Sequence, residues 1–166
     1  PTFGGPNIAQ QPADPHYTKI NEWLTRGRTL FPEDFVELYN PEPIPADLTG
    51  VFLTDAPRGG MRMHQVPPLS FIDGYGYIVL IADGNTNAGP GHLAFQLSSD
   101  QGEIAMFDPA GILIDCITYG PQTPDVSEGR RPNGAPTIAF ISPPTPNAPN
   151  PALQPGITVS NVLTTL

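Results

Sequence analysis

Apolar and polar positions alternate in short runs along this chain, and turn residues separate the runs. Residues 34–39 (DFVELY) are the clearest case. In an extended strand Val36 and Leu38 point one way and Phe35, Glu37 and Tyr39 the other, and Asn40-Pro41 stops the run. This reads as a half-buried strand. Residues 17–25 (YTKINEWLT) predict a strand before it and residues 48–54 (LTGVFLT) one after it. The intervening PEPIPA is too proline-rich for a sheet interior and reads as a loop. Residues 61–66 are a weaker strand candidate, closed by Pro67-Pro68. Residues 75–82 (YGYIVLIA) form the most apolar run, short and rich in β-branched and aromatic residues, which favours a buried strand over a helix. After a polar turn at 83–91, residues 93–98, 103–107 and 112–119 predict a three-stranded meander. Its second turn, Asp108-Pro109-Ala110-Gly111, has type I chemistry: proline presets φ at the second position and glycine accepts positive φ at the end. Residues 137–141 (TIAFI) predict a last strand. No segment sustains helical spacing with caps, so eight to nine short, mostly antiparallel strands imply an all-β sandwich or barrel.

Composition refines this picture at the ends. The 166 residues suit one domain with flanking segments. Glycine (17) and proline (23) punctuate the apolar runs and also crowd the termini. Residues 1–15 read as a Pro/Gly-rich leader or linker, residues 16–150 as the β domain, and residues 151–166 as a tail, an extra edge strand or the start of a following domain. The chain begins at Pro1 without a methionine or a signal-peptide pattern, which suggests that the natural N-terminus was removed or lies in a longer parent. Its longest apolar run is too short to span a bilayer. The formal net charge is −9, with Lys19 the only lysine. That disfavours nucleic acid and anionic membranes, because both need a basic face. Cys116, the only cysteine, allows no internal disulfide.

Candidate chemistry is sparse. Asp83, Asn85 and Asn87 place oxygen side chains at alternate positions, as calcium loops do. The sixth and twelfth positions are Ala88 and Ala94, not the Gly and Glu of an EF-hand, so a plain polar turn is the simpler reading. If the first two strands pair, Glu22, Asp34 and Glu37 could cluster and bind a cation, though a solvated acidic rim is the simpler reading. The histidines His16, His64 and His92 are scattered, and His92 beside the polar loop reads as a surface imidazole. Cys116 alternates with Ile112 and Ile114, which predicts a small buried thiol. Arg130 and Arg131 are expected to pair with acidic neighbours such as Glu128 or Asp125, with contact to a partner the alternative. Trp23 and Tyr75 are expected to be partly exposed. There is no nucleophile elbow of the G-x-S-x-G type.

Several of these stretches, taken in order, resemble the lamin-tail domain family. They are Ile20-Asn21-Glu22, residues 34–41 (DFVELYNP), Asp47-Leu48-Thr49-Gly50, Tyr77-Ile78-Val79-Leu80, Phe107-Asp108-Pro109, Thr118-Tyr119-Gly120-Pro121-Gln122, Gly129-Arg130 and residues 145–150 (TPNAPN). The resemblance covers roughly residues 17–150. The family often carries a large aromatic after L-T-G, where this chain has Val51 with Phe52 one position later. The resemblance implies an immunoglobulin-like β-sandwich with no catalytic residues. In bacteria, similar domains sit in secreted or surface-attached proteins, so an extracellular or cell-surface location is implied. The expected function is a non-catalytic binding or anchoring module of a larger protein. Its expected partners are neighbouring domains or an envelope or extracellular protein or glycan. A calcium-stabilised spacer is the alternative, and an unrecognised hydrolase the last.

Overall fold

The computed structural model describes residues 11–59 and 63–153. In chain order the strands among these residues are β1 (Lys19–Leu24), β2 (Phe35–Tyr39), β3 (Ala46–Asp47), β4 (Phe52–Thr54), β5 (Met63–Gln65), β6 (Phe71–Ile72), β7 (Tyr77–Ile81), β8 (Gly102–Phe107), β9 (Leu113–Tyr119), β10 (Ser127–Arg130) and β11 (Ile138–Ile141). The described helical pieces are single 3-10 turns at Pro15–Tyr17 and Thr86–Ala88. The first of these takes the start of the predicted first strand, because Pro15 cannot donate to a ladder. Of the other expectations, residues 1–10, the start of the 61–66 strand candidate and residues 157–166 lie outside the described residues.

Two antiparallel sheets form the body. One has the order β11-β10-β1-β2-β7 and the other β5-β4-β8-β9, with β3 and β6 a separate pair. The core lies between the two larger sheets. Ile20, Trp23, Val36, Leu38 and Leu80 come from the first, and Leu53, Ile104, Met106, Ile117 and Tyr119 from the second. Burying each large apolar side chain contributes roughly 1.5–3 kcal/mol. Trp23 is fully buried, with its ring centroid 6.2 Å from that of Tyr119. This corrects the expectation that Trp23 is partly exposed. A register shift between Ile20 and Glu22 lets Ile20 and Trp23, three positions apart, both face inward. Tyr75 is exposed, as expected.

Four further differences from the sequence reading have local causes. Residues 93–98 form no strand. They carry the chain from β7 in one sheet to β8 in the other, with only bridge contacts at Ile81–His92 and Asp83–Gln96. Leu93, Phe95 and Leu97 still alternate into the core, so periodicity was present without a ladder. The sequence pattern does not show β10, because SEGR has no apolar alternation. β2 is buried on both faces rather than half-buried, with Glu37 as inaccessible as Val36. Cys116 is exposed, not buried. A bulge causes this last difference: Phe107 pairs with Leu113 while Met106 pairs with Asp115, so Ile114 is the extra residue and the parity of β9 inverts after it. Asp115, Ile117 and Tyr119 therefore share the inward parity, and Cys116 the outward one. After L-T-G it is Val51 that enters the core, while Phe52 is only half-buried.

Candidate functional site

The polar residues of the sequence motifs converge on one buried seam. It lies along the five-stranded sheet beneath residues 142–153. β1 and β2 place Glu22 opposite Glu37, both without solvent contact. Two carboxylates in a dry setting need donors, and distant parts of the chain supply them. Glu22 accepts from the Ser127 hydroxyl at 2.6 Å, the Thr145 N–H at 2.8 Å and the Thr145 hydroxyl at 2.8 Å. Glu37 accepts from the Asn21 amide at 2.9 Å and the Asn147 N–H at 2.6 Å. Burial outweighs the lowering effect of the Asn21 and Asn147 bonds and, with a smaller push from the neighbouring Glu22 charge, raises the Glu37 carboxyl to about 7.

Asparagines extend the seam. Asn150 donates from its side chain to the Arg130 carbonyl at 2.9 Å and the Asn21 carbonyl at 3.2 Å, and its N–H donates to Asn133 Oδ1 at 2.7 Å. Asn133 also bonds the Tyr77 hydroxyl. A Cβ at Gly129 would stand 2.6 Å from the Asn21 carbonyl oxygen and 2.9 Å from Asn150 Nδ2, so only glycine fits here.

Arg130 ties the sheets together. Its Nη2 reaches both Asp115 carboxylate oxygens at 3.0 Å, its Nε donates to the Ile20 carbonyl at 2.9 Å, and Asp115 in turn accepts the Ile20 N–H at 2.9 Å. Arg131 donates to the carbonyls of Pro151, Phe140 and Ala152. Neither arginine bonds Glu128 or Asp125, contrary to expectation. Glu128 accepts from Gln122, and Asp125 caps the N–H groups of Arg28 and Thr29. Sequence proximity misled here because Asp115 faces Arg130 only once β9 has bulged.

The remaining candidates stand apart from the seam. Asp34 does not join Glu22 and Glu37. It accepts the Gly27 N–H at 3.1 Å and lines a groove of about 310 Å³ with Glu33, Asp83 and Gln96. Asp83 accepts the Asn85 N–H at 2.9 Å and meets His92 Nδ1 at 2.8 Å, and these bonds hold its carboxyl below the usual range. Asn85 and Asn87 are exposed on the same loop. Among the described residues no three His, Cys, Asp or Glu side chains converge as a metal-holding group. His64 is buried in the wall of a groove of about 500 Å³ between β5 and residues 86–94, and among the described residues its Nε2 has no hydrogen-bond partner. Burial pushes its imidazole down. His16 contacts Asp14 at 2.7 Å and Asp108 at 3.4 Å. Partial burial of the sulfur, and then the nearby acids Glu103 and Asp115, push the Cys116 thiol up, which disfavours a nucleophilic role.

The Lamin Tail Domain family model matches residues 11–121. The chain belongs to the lamin tail domain family. The family is immunoglobulin-like, in keeping with the two-sheet sandwich. No curated protein and no solved structure matches the chain. The matched part of this lamin tail domain holds Asn21, Glu22, Glu37 and Asp115. Their partners Ser127, Arg130, Asn133, Thr145, Asn147 and Asn150 follow it in the chain. Among the described residues no helix is long and apolar enough to cross a membrane.

Proposed function

We propose that this lamin tail domain is a non-catalytic binding or anchoring module of a larger protein, working outside the cell or at its surface. One observation carries the reading: the carboxylates, guanidinium and amides of the buried seam are spent on the domain's own backbone and on each other. Glu22 and Glu37 together accept five hydrogen bonds from within the chain. A group held this tightly orients a fold; a general acid or base must instead reach a substrate proton. The rest of the support is the family and the apolar side chains left on the surface, notably Leu69, Phe71 and Tyr75. The test is retention of envelope fractions on the immobilised chain. Specific capture of a protein or glycan is the expected result, and none at all would remove the reading.

A further inference from the structure

Leu69, Phe71 and Tyr75 lie within seven residues and are exposed to 85%, 49% and 59%. They bracket β6, which with β3 forms the small pair outside the two main sheets. Leu69 and Tyr75 also hold φ of +63° and +56°, a region that bulky L-residues avoid. Local bonds accompany it: the Leu69 N–H donates to Thr49 Oγ1 at 3.1 Å and the Tyr75 N–H to the Glu42 carbonyl at 2.9 Å. The domain gains no core burial from either side chain. Strain of this kind, kept where it displays apolar groups to water, marks a surface used for something else.

Beside Phe71 runs a groove of about 400 Å³ lined by Gln11, Pro12, Pro45, Phe71 and Asp73. Its walls are mainly apolar rings, with one carboxylate among them. Glu42, Asp47 and Asp73 lie on the segments that build this surface, and residues 29–57 and 63–129 contain no lysine or arginine. A polyanion or an anionic bilayer would meet only like charge here. So would a second copy of a chain whose net charge is −9.

We propose that this surface docks an extended basic segment of another polypeptide, its apolar side chains against Phe71, Leu69 and the prolines and its cations beside Asp73 and Glu42. Flat proline and aromatic walls suit an extended chain, and a guanidinium can lie on an exposed ring while facing a carboxylate. The inference rests on the binding-module reading and gives it a face and a partner chemistry.

Fluorescence anisotropy of the full chain tests it with three labelled peptides: one mixing Arg, Leu and Pro, one with Glu for each Arg, and one with Ser for each Leu. Only the first is expected to bind, more weakly as salt rises. Phe71→Ser and Asp73→Lys are each expected to weaken it about tenfold or more. Ile112→Ser, at an exposed apolar site on the β8–β9 turn, is expected to leave it unchanged. Leu69→Gly separates binding from folding, because glycine accepts the positive φ. That variant is expected to melt higher than the parent and bind more weakly. Binding of the acidic peptide, equal binding by the variants, or no binding at all would overturn the proposal. Envelope capture that survives Phe71→Ser would overturn this face and leave the module reading standing, whereas loss of capture by the unmodified chain removes that reading itself.

Discussion

Glu37 is a carboxyl whose fold prefers it uncharged. Its value of about 7 lies above the 4.5 of a free glutamate. A raised folded value gives stability that is fully present below about pH 4.5 and is lost as pH rises through 7. The loss across that window is roughly 3 kcal/mol. Burial raises Asp34 and Glu128 too, which pushes in the same direction. The buried His64 imidazole, pushed down, works the other way across this range, but the Glu37 shift is the larger, so urea midpoints are expected to be higher at pH 5.5 than at pH 8, and Glu37→Gln to flatten most of that difference. A flat profile in the parent would contradict this account. Arg130 gives a second expectation. Arg130→Ala leaves Asp115 and the Ile20 carbonyl buried without their cation. Such a loss costs about 3–5 kcal/mol. Arg58→Ala, whose partner Glu103 it meets at the surface, is expected to cost under about 1 kcal/mol. Denaturation of both variants checks the contrast. The sequence made Glu22, Glu37 and Arg130 visible as motif residues. It could not give their roles, because the Glu22 and Thr145 that bond each other are 123 positions apart.

Among the elements, strands with apolar alternation were legible and those without it were not. β2 and β7 stand close to where their patterns put them, since hydrophobic period two and turn residues act locally. β10 hides because its neighbours β1 and β11 supply the ladder and its own side chains carry polar bonds. Cys116 was misplaced because one inserted residue, Ile114, reverses every later side chain of β9. The loop after β7 belongs to this scale too. Asp83 already serves Asn85 and His92, and Asn85 and Asn87 are exposed beside it. Calcium in excess, followed by chelator, is expected to leave the melting midpoint unchanged, because a ligand stabilises only by binding the folded state. A reversible rise would return the loop to the metal sites.

For the whole molecule, two sheets over one core were legible, since the alternating faces had to be buried against something. The extent of the folding unit was less so. β10 and β11 lie beyond the matched residues 11–121, yet β10 pairs directly with β1 in the larger sheet. Residues 142–153 go further and cover the acid pair. A chain ending at Ile141 strips Glu22 and Glu37 of three donors from Thr145 and Asn147. That truncation is expected to lower the melting temperature by about 10 °C or more, from several kcal/mol of unpaired buried charge. Calorimetry of the shortened chain decides it.

The order of those attachments governs how the domain meets mechanical load. Tension applied beyond residue 153 reaches the Arg131 bonds to Pro151 and Ala152 first, then Asn150, then Asn147 and last Thr145. The segment therefore peels like a zip before β11 is strained. Its dozen residues have an extended length of at most about 40 Å, and the sandwich itself stays shut while that length pays out.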